Sequence, residues 1–237
     1  MRAVIIAASL VVLVAGCSKK GPECESIVKV VNPAVEKLTS AGAVKADKAE
    51  EHIKAMNEVA QITENAAADL ARLPLTMPEL LKASADYQAM ARDAAAAARE
   101  VGQAVKSTEA GVIAAEKGAK DLEAAAEALG KACADPRNAD GAEGCKAFGE
   151  TMGHYPEDAS KSDEAARVVA DLDKLSFKSK AILAPARAVI ALMKSNGKVL
   201  ADLKAAEDRA VAAEKQFEGA AAKEGPIVDG LNKFCAR

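Results

Sequence analysis

The side chains in this sequence best suited to chemistry are five cysteines, Cys17, Cys24, Cys133, Cys145 and Cys235, and two histidines, His52 and His154. A thiol can be acylated, oxidised to a disulfide or given to a metal; an imidazole can move a proton or act as a ligand. Their spacing narrows the choice. No Cys-x-x-Cys pair occurs and neither histidine stands at ligand spacing from a cysteine, so no metal site is expected. His52 lies four residues before Met56, on the same helix face, as a haem or copper site would need. That spacing arises in any helix of this composition, and the plain reading is an edge histidine. His154 sits in GHYPED beside Tyr155, where a hinge or cap is the simplest role and a functional loop the alternative. Asp171 and Asp173, near a predicted helix end, read as solvated. No nucleophile elbow, His-Glu-x-x-His, phosphate loop or dinucleotide fingerprint occurs. The residues therefore predict no catalytic group and no cofactor, and the chain reads as a non-enzyme.

Cys17 is set apart by what precedes it. The chain opens MRAVIIAASLVVLVAGC: one positive residue, Arg2, then an apolar run from Ala3 to Ala15. As a helix that run spans roughly 20 Å, short of a ~30 Å hydrocarbon core. A charged start, a short apolar middle and small residues at the end make a secretory signal peptide. Val14-Ala15-Gly16-Cys17 resembles the lipobox of bacterial lipoproteins: an aliphatic residue, two small residues and an obligatory cysteine. Leu is commoner than Val at the position of Val14. The resemblance implies that the Cys17 thiol receives a diacylglyceryl group, that a peptidase cuts between Gly16 and Cys17, and that the new amino terminus is acylated, usually with palmitate-type chains. Ser18, where Asp would retain a lipoprotein in the inner membrane, points to the outer membrane. On this reading residues 1–16 are the signal peptide, 17–22 a lipidated tether, and 23–237 a single helical domain.

The formal net charge of the whole chain is −3, with charges of both signs well mixed. Nucleic-acid binding, which uses a clustered basic face and aromatic platforms, is not expected. Aromatics are scarce: two Tyr, four Phe and no Trp. Alanine, the best helix former, supplies 57 of 237 residues. Strand-type runs are absent, and 50% apolar content argues against disorder. The class is all-α.

Along the chain, Asn32-Pro33 reads as a break and restart. Ile53, Met56, Ala60, Thr63, Ala67 and Leu70 then recur at steps of three and four, a coiled-coil-like seam of small residues. LPLTMPE, residues 73–79, ends that helix, and Thr76 with Glu79 fits a capping box for a second helix from Pro78 to about Ala134. A loop is expected at 135–144 and a broken region through Gly149, Gly153 and Pro156. Helix resumes near Asp163, stops at LSFKS (175–179) and runs from Lys180 to about Lys223, before a last short piece after Gly225-Pro226. ADLARLPLTMPELL (68–81) aligns with ADLDKLSFKSKAIL (170–183): Ala68, Asp69, Leu70, Leu73 and Leu81 recur as Ala170, Asp171, Leu172, Leu175 and Leu183. The match fits either a duplicated hairpin or chance between two alanine-rich helices. The predicted architecture is an elongated antiparallel bundle of two long helical hairpins, residues 23–134 and 143–237, with four main helices.

With Cys17 taken by lipid, four cysteines remain, an even number in an oxidising compartment. The expected pairs are Cys133–Cys145, bracketing the loop between hairpins, and Cys24–Cys235, in the first and last helical pieces. If so, the turns at 73–79 and 175–179 share the end away from the anchor. The function expected is a structural or protein-interaction lipoprotein, anchored to a membrane through Cys17 and contacting another envelope protein. The alternative is a periplasmic module that binds or senses a ligand or metal in the bundle core or the 146–160 loop.

Overall fold

The structure, a computed structural model, describes residues 21–42, 48–156 and 162–236. It is all-α, with no strand among those residues. Helix α1 spans Gly21–Gly42, α2 Ala49–Ala71, α3 Pro78–Ala134, α4 Ala142–Met152, α5 Ser162–Asp173, α6 Lys180–Ala221 and α7 Glu224–Cys235. A short 3-10 segment, Pro136–Gly141, joins α3 to α4.

Two local expectations change. Pro33 does not break the chain; it lies inside α1. A proline inside a helix costs about 3 kcal/mol. Here Ile27, Val31, Ala34 and Val35, on both sides of it, are buried in one core, and that burial offsets the cost. The region after Cys145 is less broken than its glycines imply, because α4 runs through Gly149 to Met152 and buries Phe148.

The chain divides into two compact units: Met1–Ser107 with Ala206–Arg237, and Thr108–Ala205. This division cuts across the segments 23–134 and 143–237. Each unit takes a closely linked helix pair from one segment and the end of the other.

In the first unit α1 folds back along α2, and α3 returns along α2 on the far side of the 72–77 turn. Cys24, Ile27 and Val31 of α1 share a core with Ala67 and Leu70 of α2, Leu80 and Tyr87 of α3, and Val228 and Leu231 of α7. Further along, Ala41, Met56, Val59 and Ala60 meet Ala94, Ala98 and Val101 of α3 and Ala213 and Phe217 of α6. Alanine at so many of these positions lets backbones approach closely. The buried Thr63 hydroxyl donates to the carbonyls of Val59 and Ala60 within its own helix, so it costs no unpaired polar group.

In the second unit Leu129 of α3, Phe148 of α4, Val168, Val169 and Leu172 of α5, and Ile182, Ala186, Val189 and Met193 of α6 form the core. Gly111 and Gly118 of α3 face Leu203 and Asn196 of α6; a Cβ on Gly111 would lie 3.0 Å from Leu203 Cδ1.

The two turns singled out by the sequence match are built alike. Helix α2 ends at Ala71 and α5 at Asp173; α3 begins at Pro78 and α6 at Lys180. Arg72 and Leu73 donate to the carbonyls of Asp69 and Leu70, and Lys174 and Leu175 to those of Asp171 and Leu172. Leu81 donates to Met77 O as Leu183 does to Ser179 O. Even the surface ion pairs repeat, Asp69–Arg72 and Asp171–Lys174.

Candidate functional site

Each unit has a corner where a disulfide, a turn and a helix start meet. In the first, Cys24, the fourth residue of α1, is bonded to Cys235 at the end of α7, with Cα atoms 6.0 Å apart. In the second, Cys133 of α3 is bonded to Cys145 of α4 at 5.9 Å. These are the two pairs anticipated above. The placement of the turns is not. Leu73, Leu75 and Met77 pack against the same core as Cys24 and Cys235, and Leu175 and Phe177 pack with Cys133 and Cys145. The turns at 73–79 and 175–179 therefore do not lie away from the cystines: each packs beside one cystine, within its own unit. The reason is α1, a separate helix that folds back on α2 and brings Cys24 to the end of α2.

At the first corner Glu23 Oε2 accepts from the backbone N–H of Thr76 (2.9 Å) and of Met77 (3.2 Å), and Oε1 accepts from the Thr76 hydroxyl. Glu23, from another helix, closes the open start of α3 and puts negative charge at its positive end. The Thr76–Glu79 capping box is not formed as expected; the Thr76 hydroxyl serves Glu23. These hydrogen bonds, the Thr76 hydroxyl foremost, hold the Glu23 carboxyl below its usual range.

At the second corner Glu143 pairs with Lys178 at 3.3 Å. Asp135 accepts from Arg137 N and pairs with its guanidinium, and Asn138 Nδ2 donates to Ala132 O at the end of α3. Gly141 lies so close to Ile182 and Ser179 that a Cβ would meet Ile182 Cδ1 at 2.3 Å.

Beside the second cystine lies an open apolar cleft of about 500 Å³, lined by Leu122, Leu129, Phe148, Met152 and Met193 among others. A depression of about 520 Å³ in the first unit is flanked by Asp93, Lys223, Pro226 and Ile227. Nearby, the buried Tyr87 hydroxyl donates to the Glu224 carboxylate. Burial pushes both groups up from their usual ranges, the carboxylate of Glu224 adding to the rise at Tyr87.

His52 is half-buried on α2 and its neighbour Met56 is buried in the core. His154 is exposed just after α4, with its N–H bonded to Thr151 O. Asp173 is not simply solvated: it pairs with Arg187 and Lys194, and Arg187 also donates to Asp173 O at the end of α5. Sequence reading missed this cluster, because its cations lie 14 and 21 positions away. Among the described residues no group of three or more His, Cys, Asp or Glu is placed to hold a metal. Gly16 and Cys17 lie outside the described residues, as do residues 157–160 of the 146–160 segment.

No protein-family model, curated protein or solved structure matches the chain.

Proposed function

We propose that this chain is a lipid-anchored helical lipoprotein of the bacterial envelope that acts as a structural or protein-interaction module, held to the outer membrane through Cys17 and facing the periplasm. The observation that carries the reading is Val14-Ala15-Gly16-Cys17, placed just ahead of Cys24, the fourth residue of α1. Two disulfides fit an oxidising compartment. One acyl chain binds a membrane only reversibly, and the two or three chains implied at Cys17 make a stable anchor. No described helix is long and apolar enough to cross a membrane. A partner protein fits the exposed Val112, Ile113 and Leu200 of the second unit, of which Ile113 is 62% exposed.

Fractionation of cells carrying Cys17→Ser tests the anchor. The variant is expected to leave the washed membrane fraction; a variant still bound there contradicts it. Photocrosslinking from positions 113 and 200 tests the interaction role, and supports it if one envelope protein is captured from both and from no position on the opposite faces.

A second reading, a module for a small apolar ligand, rests on the cleft beside Cys133–Cys145. Thermal-shift measurement against a set of apolar ligands tests it: stabilisation abolished by Met193→Lys supports it, and no shift across the set counts against it.

A further inference from the structure

The offset of 102 between the two turns runs further along the chain. Leu129-x-Lys131-x-Cys133-Ala134 at the end of α3 recurs in the same register as Leu231-x-Lys233-x-Cys235-Ala236. Both leucines are buried and both lysines are exposed. The starts correspond as well. Gly21-Pro22-Glu23-Cys24 opens α1, and Gly141-Ala142-Glu143-Gly144-Cys145 leads into α4 with one extra glycine. Each cysteine is the fourth residue of its helix. The acid ahead of each cysteine reaches the same position of the matching turn: Glu23 bonds Thr76 and Glu143 pairs with Lys178.

Residues 21–135 and 141–237 are thus two versions of one pattern: a cysteine-bearing opening helix, a hairpin turn, and a closing Leu-x-Lys-x-Cys-Ala. A self-contained repeat would bond Cys24 to Cys133 and Cys145 to Cys235. The bonds are crossed instead, Cys24 to Cys235 and Cys145 to Cys133. The cores are crossed in the same way. Val228 and Leu231, from the end of the second repeat, are buried with Ile27, Val31 and Leu80 of the first. Leu129, from the end of the first repeat, is buried with Phe148, Leu172 and Ile182 of the second. Each unit is an opening helix and turn from one repeat, closed by the last helix of the other.

We propose that the chain is a dimer of one helical unit fused into a single polypeptide, and that the two crossed disulfides are a redox clasp on the exchange of its closing helices, which a second copy of this chain can supply. Exchange of an identical element between chains needs no new interface, since the surface covered by α7 or by the end of α3 is the same whichever copy covers it. A dithiol reductant opens the clasp. It passes two electrons and two protons to each cystine, which becomes two thiols, and is itself oxidised to a disulfide. The linker 135–141 is then the hinge, and the first repeat of one chain closes with the second repeat of another. Reoxidation re-forms the same two bonds, now between chains.

The test uses the full chain carrying Cys17→Ser, so that the four paired cysteines are its only cysteines. Isotopically heavy and light chains are mixed equally, opened with a dithiol, reoxidised and digested without reduction. The expected products are heavy–light Cys24–Cys235 and Cys133–Cys145 peptides, in close to statistical proportion, with a dimer by light scattering and none in the unreduced mixture. Re-formation of those pairs only within each chain, or mixed peptides joining other cysteine pairs, overturns the proposal. A variant with Cys24, Cys133, Cys145 and Cys235 all changed to Ser gives a second readout. It is expected to stay helical and to dimerise as its concentration rises; a monomer at every concentration, or loss of helix, overturns the proposal too.

Discussion

The carboxylate of Glu23, on the first turn of α1, accepts hydrogen bonds from the backbone of Thr76 and Met77 across 53 and 54 positions of sequence, and so closes the start of α3. One side chain thereby ties the start of α1 to the first hairpin turn.

Glu23→Gln is expected to lower the melting temperature at neutral pH, because the amide carries no charge to set against the helix start. The folded-state carboxyl is depressed, so its contribution is present above the ordinary value of 4.5 and is lost as the pH falls through the lower folded value. Melting curves of the two proteins should therefore converge in acid. A difference that persists unchanged at pH 2 contradicts the assignment.

Glu224 has the opposite sign. Its folded carboxyl is raised by burial, so the folded state binds the proton more tightly than the unfolded one. Stability is then favoured at acid pH and falls as pH rises through the folded value. Glu224→Gln, which can still accept from Tyr87, is expected to raise the melting temperature at pH 7 and to make no difference at pH 4. A variant less stable than the parent at pH 7 shows that the charge itself is needed.

The two cystines close loops of very different length, with sequence separations of 211 and 12. Chain-entropy reasoning gives about 5 kcal/mol for Cys24–Cys235 and about 3 for Cys133–Cys145. Denaturant midpoints of the paired Cys→Ser variants should follow that order. The reverse order would place the main constraint at the 135–141 linker.

Glycine contacts make a further contrast. Gly141→Ala drives a methyl into the buried Ile182 side chain and should cost about 1–3 kcal/mol. Gly130→Ala and Gly197→Ala, in helices with nothing within 4 Å of the added Cβ, should each gain about 0.5–1 kcal/mol. Urea unfolding of the three variants checks the ordering.

Much of this is legible from sequence where local chemistry decides. Pro78 and Lys180 begin their helices where turn residues and apolar spacing place them, and five of the six seam residues of α2 are buried. Local signals fail where the deciding partner is distant. Pro33 reads as a break because nothing nearby announces the burial of Ile27, Val31 and Val35. Thr76 looks paired with Glu79, three residues on, when Glu23 from another helix takes its hydroxyl. The same fold-back of α1 carries the 73–79 turn to the Cys24–Cys235 corner. The Asp173–Arg187–Lys194 cluster is invisible for the same reason: its spacing has meaning only once α5 and α6 are packed.

Lipidation of Cys17 is tested directly by mass spectrometry of the mature protein from its native membrane. The N-terminal peptide is predicted to begin at Cys17 and to carry a thioether-linked diacylglyceryl group, with a further acyl chain on its amino group. A mature chain that retains residues 1–16, or that begins at another residue with an unmodified Cys17 thiol, contradicts it.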